Sequence, residues 1–406
     1  MQEDEPVVKL QHLMFRIPVI TLLAVLAALQ QRQTFRSDTE MIAVDVAVID
    51  AKGAPTPGLG PDDFEVTISG RPRRVVRAAW LAYGTPTSNP ETVAAAAEDA
   101  AMASSNRMFI IAIDEGSLQP NGAFAARAAV ERFIDQMRPD DRVGLMSFPA
   151  DKTTFRLTDD HNSVKRDLLN IAGIRQEPTG QFHMSVPEII DISNGDADAQ
   201  NRVYTRECQG GTSCNLSSIK MEADSLASYL EMDTSKTIEG LRGIMRALAE
   251  VPGRKIMVLV SGGMISSDRH GARVNATNDI NTLSAQAAAA NAALFVLHLD
   301  WSYQQAFGTK NDMSSTYFRN ADIAKTGLEL LAGTLGGEMV RVQGNSGDVA
   351  FNRVLSETSA YYLLGIEPAP EDRDGKAHPI KVKVKKRGMT TLARSEVTIP
   401  IRGSGS

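Results

Sequence analysis

A uniformly apolar run at residues 108–113, MFIIAI, is the feature that most constrains the fold. It shows no alternation of polar and apolar side chains, which is typical of a strand buried on both faces of a parallel sheet. Asp114 ends the run, and a helical pattern begins at Pro120, with apolar residues at three- and four-residue steps. Open α/β sheets bind ligands at the carboxyl ends of their strands, where Asp114 is expected to lie. A carboxylate there can also simply cap the turn, and the sequence leaves both interpretations open.

Alternating strand and helix patterns continue through the middle of the chain. Apolar stretches of strand length lie at residues 143–148, 256–260 and 293–299. Helical patterns lie at residues 160–171, 237–250, 276–290 and 321–335. This alternation predicts an α/β fold with a doubly wound, Rossmann-like parallel sheet whose crossover connections are right-handed. We assign this domain to residues 107–359.

Both ends of the chain have sequence patterns typical of β-strands. Residues 42–48 have Ile or Val at every second position, on one face of a strand, and turn signals separate them from further strand patterns up to residue 81. Residues 360–402 have similar strand patterns. Because neither segment can bury a core alone, we predict that residues 34–81 and 360–402 form one small β-sandwich into which the α/β domain is inserted. Residues 82–106 have the composition of a linker, and residues 403–406 that of a linker or tag.

A basic and apolar segment near the N-terminus has the features of a targeting signal. Arg16 precedes an apolar core at residues 17–29, which is shorter than the roughly 20 residues of a membrane-spanning helix. Small residues at its end suit cleavage, so we predict a signal peptide at residues 14–33, preceded by a mis-assigned leader at residues 1–13. An uncleaved anchor and a folded helix are the alternatives. The signal peptide predicts export.

Two segments, residues 180–233 and 301–320, interrupt the strand–helix alternation and are expected to shape the rim of any site on the sheet. The first contains both cysteines, Cys208 and Cys214. In an exported protein we expect them to form a disulfide, since two thiols without a nearby histidine give too few ligands for a metal. The string DADAQNRVYTRE, which starts at Asp196, partly follows the spacing of a calcium loop but lacks its turn glycine. We interpret it as a solvated loop.

Charge and motifs exclude several classes of function. The net charge of −6 leaves no broad basic surface for nucleic acid, and the basic residues at 381–387 alternate with valines like the solvent face of a strand. The sequence contains no nucleophile elbow, zinc-protease motif, phosphate-binding loop or dinucleotide fingerprint. A hydrolase would instead need His183 and His270 to meet beside Asp114, and the sequence does not place them there.

Several tracts carry a resemblance to a known family. RMFIIAID, RPDDRVGLMSF, VPGRKIMVLVSGG and ALFVLHLD, in this order, resemble a von Willebrand factor type A (VWA) domain. VDVAVIDAKGAPTPGLGPDDFEV, LAGTLGGEMV and SAYYLLGIEP more narrowly resemble the VWFA-related Acidobacterial-type family of exported proteins. The resemblance covers nearly all of residues 39–401. It implies the α/β fold above, a β domain built from both ends, and binding rather than catalysis.

The resemblance also implies a metal site, which this sequence carries only in part. VWA domains often have an Asp-x-Ser-x-Ser loop after the first strand, a Thr from a second loop and an Asp from a third. Asp114 matches the first position, but Gly116 and Leu118 occupy the serine positions. The third-loop acid falls at Gly262, which has no side chain. The resemblance therefore implies a degenerate site, with no cofactor or a weakly bound divalent cation such as Mg²⁺, Mn²⁺ or Ca²⁺.

We thus predict an exported protein–protein interaction or adhesion module, not an enzyme, that binds an unknown protein partner through the apex of the sheet. The residues expected at this ligand-binding apex are Asp114, Glu115, Gly116, Ser117, Thr179, Gly262 and Gly263. We expect no nucleic-acid partner and no transmembrane domain after signal cleavage, and a location in the periplasm, the cell envelope or outside the cell. The alternative is a metal-dependent adhesion domain in which Asp114, Ser117 and Thr179 hold the cation.

Overall fold

The computed structural model describes most of the chain after residue 40. The described residues are 41–83, 106–149, 155–176, 178–208, 214–267, 269, 271–300, 317–342 and 347–401. The predicted leader, signal peptide and C-terminal tail lie outside this part, as do most of the predicted linker and of the insertion at residues 301–320. The described residues belong to one compact unit. Among them, no helix combines the length and apolarity needed to span a membrane.

A parallel sheet forms the centre of the α/β part. Its strands are β4 (Met108–Asp114), β5 (Arg142–Phe148), β6 (Lys255–Ser261), β7 (Ala292–Leu299) and β8 (Glu338–Val342). They lie in the order β5-β4-β6-β7-β8, and each adjacent pair is parallel. Every residue of β4 and of β6 is buried, as expected for strands covered on both faces.

Helices cover both faces of the parallel sheet. The helices of the described chain are α1 (Pro120–Asp135), α2 (His161–Asp167), α3 (Val186–Ser193), α4 (Ala197–Glu207), α5 (Leu216–Ala249), α6 (Thr277–Ala289), α7 (Tyr317–Thr334) and α8 (Gly347–Glu357). On one face, Ile111 packs in a core with Phe133 of α1 and Phe351 of α8. On the other face, Ile110 packs in a core with Ile238 of α5, and α6 and α7 add to the same layer. The predicted α/β fold with a helix-flanked parallel sheet is confirmed.

The segment predicted as an insertion at residues 180–233 is helical. It forms α3, α4 and the first half of α5, which share a separate apolar core. The sequence predicted a helix only at residues 237–250, whereas α5 runs from Leu216 to Ala249 without a proline. The solvated loop predicted at Asp196 was also wrong. Asp196 caps α4, because its carboxylate accepts a hydrogen bond from the Ala199 amide at 2.9 Å.

The two ends of the described chain form a second, antiparallel sheet. Its strands are β1 (Ile42–Asp50), β2 (Phe64–Ile68), β3 (Arg71–Ala82), β9 (Ala360–Glu367), β10 (Ala377–Val384), β11 (Met389–Ala393) and β12 (Glu396–Thr398). Their order is β11-β1-β9-β3-β2-β10-β12. Strands from opposite ends of the sheet approach each other, because the Thr391 hydroxyl of β11, the first strand in this order, donates a hydrogen bond to the Val382 carbonyl of β10, the last but one, at 2.8 Å. The structure therefore shows one curled sheet, where the sequence predicted a small β-sandwich.

Candidate functional site at the carboxyl edge of the parallel sheet

The order of the strands identifies one crevice at the edge of the parallel sheet. From β4 the chain passes to β5 on one side, and then returns to β6 on the other side of β4. The carboxyl ends of β4 and β6, at Asp114 and Ser261, therefore lie where the winding direction reverses. Open α/β sheets place their ligands at such a switch point.

Asp114 caps the turn that follows β4. One of its carboxylate oxygens, Oδ1, accepts a hydrogen bond from the Ser117 amide at 3.2 Å, and the Ser117 hydroxyl donates to the Asp114 carbonyl at 2.8 Å. The capping interpretation of Asp114 is thus correct for one oxygen. The other oxygen, Oδ2, faces β6 and α5: it lies 3.1 Å from the Ser261 hydroxyl and 3.4 Å from the Thr237 hydroxyl.

Asp114, Ser117, Thr237 and Ser261 together form a closed group, which we name the hydroxyl cluster. The Ser117 hydroxyl accepts a hydrogen bond from the Gly262 amide at 2.8 Å and lies 3.0 Å from the Ser261 hydroxyl. All four side chains of the cluster are buried. The turn after β4, the end of β6 and helix α5 are therefore joined by polar groups that already have partners.

Burial controls the charge of this cluster. Asp114 is only 1% exposed, and burial raises its pKa from 3.8 to about 7. The hydrogen bond from Ser261 opposes this rise, whereas the negative charge of Asp233 on α5 adds to it. Burial also raises the pKa of Asp233. A carboxyl group with this pKa holds a proton for a large fraction of the time at neutral pH.

Gly262 allows the two loops of the cluster to approach closely. A Cβ atom placed on Gly262 would lie 2.6 Å from the Ser117 carbonyl oxygen, which is far inside van der Waals contact. Thus an aspartate at this position, as the family pattern has it, would not fit the present backbone. Gly116 differs, because a Cβ atom there would lie 3.4 Å from its nearest neighbours. Gly263 has a φ of +141°, which favours glycine.

The structure brings most of the predicted apex residues together, but not Thr179. Thr179 is exposed, and its neighbour Gly180 lies against Glu222 near the start of α5. Glu222 and Thr237 are fifteen residues apart on α5, or about 22 Å at the rise of an α-helix. The threonine whose hydroxyl contacts Asp114 is therefore Thr237. Thr237 was predicted only as the first residue of the helix at residues 237–250, and nothing in the local pattern linked it to Asp114.

Glu115 has an anchoring position in this site. It is buried, and its Oε2 atom accepts a hydrogen bond from the Ala172 amide at 2.9 Å. Its carbonyl oxygen accepts another from the Ile174 amide at 3.1 Å. The Leu118 carbonyl accepts from the Arg175 amide at 2.9 Å. These bonds hold the segment after α2 firmly against the turn that follows β4.

Histidines are not gathered with Asp114 in the described chain. The His183 ring is exposed and pairs with Glu207 of α4 at 3.1 Å, and His270 lies outside the described residues. His298, at the end of β7, is buried beside Ser261, its partner in the strand register. Burial lowers the pKa of His298, against smaller opposing effects of Asp300 and of a hydrogen bond to the Gly262 backbone. His298 is therefore neutral at pH 7.

The donor set of the cluster does not fit a tightly bound divalent cation. Ca²⁺ takes six to eight oxygen ligands, and Mg²⁺ needs a near-ideal octahedron of oxygens supplied by one or two carboxylates and several waters. The hydroxyl cluster has a single carboxylate, and its hydroxyls are committed to hydrogen bonds within the cluster. Throughout the part of the chain that the structure describes, no three His, Cys, Asp or Glu residues are grouped so as to hold a metal ion.

Three large apolar side chains are exposed on α1 and on the segment after α2 that is hydrogen-bonded to the turn following β4. Phe124 on α1 is 68% exposed, Leu169 after α2 is 72% exposed and Ile174 is 45% exposed. Arg127 joins the first two, because its guanidinium lies 5.9 Å from the Phe124 ring and donates to the Leu169 carbonyl at 3.4 Å. Ile174 belongs to the segment anchored by Glu115. We name Phe124, Leu169 and Ile174 the apolar rim.

Comparisons with known proteins give only distant likenesses. No protein-family profile matches the sequence, and no curated protein matches it. Among solved structures, the VWA domain of SpRpn10 is 13% identical with a TM-score of 0.27, over 60% of this chain and 94% of that one. Proximal thread matrix protein 1 from the mussel byssus is 10% identical with a TM-score of 0.26, over 62% of this chain and 46% of that one.

A further likeness is to the pilus adhesin SpaC from Lactobacillus rhamnosus GG in its open conformation. The identity is 10% and the TM-score is 0.30, over 83% of this chain and 48% of the adhesin. The present chain therefore spans about half the length of the byssus protein and of the adhesin. Likenesses this distant carry no conclusion about what the chain binds.

Proposed function

We propose that this protein is an exported protein–protein interaction or adhesion module, without enzymatic activity, that binds its partner at the carboxyl edge of the parallel sheet. One observation carries the proposal: the apolar rim is exposed on α1 and on the segment whose backbone is hydrogen-bonded to the turn after β4. Large apolar side chains that lie together on a surface mark interaction sites, because a partner that covers them removes their apolar area from water. The proposed partner is a protein with a complementary apolar patch.

The support beneath the apolar rim favours binding with little loss of entropy. The backbone of residues 172–175 is hydrogen-bonded to Glu115 and Leu118. The turn that contains Glu115 is in turn fixed by Asp114 and Ser117. A surface that is already rigid loses little conformational freedom on binding, which increases affinity. In this proposal the hydroxyl cluster acts as the support of the surface.

We further propose that binding does not depend on a cation. Mg²⁺ gives up its water shell reluctantly, and the cluster has a single carboxylate whose partners are already in place. In the metal-dependent alternative, Thr237 would replace Thr179 as the hydroxyl ligand. Asp233 would have to supply the second carboxylate, since it is the acid whose charge raises the pKa of Asp114.

Export and family membership belong to the same proposal. The disulfide between Cys208 and Cys214 is typical of proteins that fold outside the cytoplasm. The sequence tracts that resemble the VWFA-related Acidobacterial-type family also support an exported protein. Both inferences rest on the sequence and on this disulfide.

Site-specific photo-cross-linking tests the binding surface. A benzoylphenylalanine replaces Phe124 in one variant and Val349 of α8 in a control, since Val349 is also strongly exposed, at 76%. Each variant is irradiated in the native envelope fraction, and the adducts are identified by mass spectrometry. We expect a defined protein adduct from position 124 and none of that mass from position 349. Identical adducts from both positions, or none from position 124, would contradict the proposal.

Calorimetry separates the metal-independent proposal from its alternative. We expect titration with Mg²⁺, Mn²⁺ or Ca²⁺ to show no tight site, and we expect chelators to leave the cross-link at position 124 intact. A site of micromolar affinity or better that Asp114→Ala abolishes would establish the metal-dependent alternative. The matched control is Asp62→Ala, which removes an exposed carboxylate outside the cluster.

A further inference from the structure

A small cavity lies at the opposite, amino-terminal end of the parallel sheet. Its volume is about 20 Å³, slightly more than one water molecule requires. Asp45 of β1 and Arg394, which follows β11, line it from the curled sheet. Arg254, which precedes β6, and Asn291 line it from the α/β part. The cavity thus lies between the two sheets and far from the hydroxyl cluster.

Arg254 is buried at this cavity with an unmet donor. Its side chain is 8% exposed, and its Nη1 atom is buried with no hydrogen-bond partner among the described residues. Its Nε atom lies 4.0 Å from the Asp45 carboxylate, at the limit of an ion pair. Its guanidinium stacks over the Tyr361 ring at 4.7 Å. Because a buried donor without a partner is costly, Nη1 marks a place for an acceptor.

Arg394, on the curled-sheet side of the cavity, also has a buried donor without a partner among the described residues. Its Nη2 atom donates to the Ala43 carbonyl, but its Nε atom is buried and has no partner in the described part of the chain. Burial lowers the pKa of Arg394, and the charge of Asp45 offsets this only in part. Two guanidinium groups therefore share one carboxylate, so that the cavity carries one positive charge in excess.

We propose that this cavity binds one small monovalent inorganic anion of the halide class, with chloride as the expected occupant. The unmet donors Arg254 Nη1 and Arg394 Nε would hold it. A water molecule fits the space but does not neutralise the excess charge, whereas the multiple charges of phosphate or sulfate exceed the single positive charge. The anion bridges the curled sheet and the α/β part, and so stabilises their packing. This site is independent of the proposed partner surface.

Bromide, which scatters anomalously, tests the proposal directly. Crystals of the wild-type protein are soaked in sodium bromide, and data are collected at the bromine absorption edge. We expect an anomalous peak between the guanidinium groups of Arg254 and Arg394. A cavity that shows no anomalous peak would overturn the proposal, and this result does not depend on any variant being able to fold.

Thermal unfolding tests the same site in solution. The melting temperature is compared in sodium bromide and in sodium gluconate at equal ionic strength, for the wild type, Arg394→Met and the control Arg387→Met, whose arginine is exposed. We expect bromide to raise the melting temperature by about 3 °C in the wild type and the control, and to have no such effect on Arg394→Met. An equal shift in all three proteins would show general salt action and overturn the proposal.

Discussion

Asp114 has two structural roles because its two carboxylate oxygens face different elements. Oδ1 caps the turn after β4, and Oδ2 meets the hydroxyls of Ser261 and Thr237. Hydrogen bonds from hydroxyls stabilise the carboxylate, but nearly complete burial disfavours the charge by more, which raises the pKa to about 7. The residue that the family pattern assigns to a cation is thus partly protonated near neutral pH.

The raised pKa of Asp114 predicts a pH-dependent effect of Asp114→Asn. The folded protein holds the proton up to about pH 7, and the unfolded chain releases it near 3.8. The wild type therefore loses stability as the pH rises through this window, whereas the variant does not. The measured quantity is the unfolding free energy of Asp114→Asn minus that of the wild type. We expect this difference to be about 2–3 kcal/mol larger at pH 8 than at pH 5.

Denaturant unfolding at the two pH values measures this difference. The control is Asp62→Asn, which changes an exposed carboxylate elsewhere. If Asp114→Asn and the control show the same pH dependence, Asp114 is not the buried titrating group.

Gly262 gives a second prediction at the scale of a residue. Gly262→Ala places a Cβ atom 2.6 Å from the Ser117 carbonyl and forces the two loops apart. We expect a loss of about 1–3 kcal/mol in unfolding free energy. The control is Gly243→Ala in α5, where a Cβ atom has no neighbour within 4 Å and should stabilise the helix by up to about 1 kcal/mol. Equal effects of the two substitutions would mean that the loops are not in close contact.

At the scale of elements, the strands were predicted well because burial on both faces leaves a strong local signal. The apolar runs at residues 108–113 and 256–260 correspond to β4 and β6. The start of α5 was missed because its buried positions include the small residues Ala223 and Ala227, which weaken the apolar periodicity. Thr179 was predicted as the second-loop hydroxyl, whereas Thr237 of α5 is the threonine that contacts Asp114. Local patterns do not show which turn of a long helix reaches the edge of a sheet.

The link between α4 and α5 carries the disulfide. The predicted bond between Cys208 and Cys214 is confirmed, with a Cα–Cα distance of 5.5 Å. Both cysteines pack at the border of the apolar core shared by α3, α4 and α5. Since the loop is short, we expect replacement of both cysteines by serine to cost about 2 kcal/mol in unfolding free energy.

Thermal unfolding of the double serine variant, with and without reductant, measures this contribution. Reductant should lower the melting temperature of the wild type and leave that of the variant unchanged. Peptide mapping under non-reducing conditions should find the two cysteines joined in protein from the native envelope. Two free thiols in that material would count against both the disulfide and export.

At the scale of the whole molecule, the curled sheet joins the two ends of the described chain. β9 lies between β1 and β3, so that a C-terminal strand has N-terminal strands on both sides. The sequence predicted that both ends share one β structure, because each has too few strands to bury a core. It could not predict one curled sheet in place of a sandwich, since strand order and closure depend on contacts between distant residues. Thr391 and Val382 make one such contact.

Deletion of the residues after Pro368 tests the shared sheet. It removes β10, β11 and β12, which takes the hydrogen-bonding partners away from one edge of β1 and one edge of β2. It also removes four buried side chains from the core of the sheet, Ile380, Val382, Val397 and Ile399. Exposed strand edges pair with other chains, so we expect the truncated protein to aggregate. The control is deletion of residues 402–406 alone, which lie beyond β12 and should leave solubility and melting temperature unchanged. A soluble protein ending at Pro368, with the melting temperature of the control, would show that the two ends fold independently.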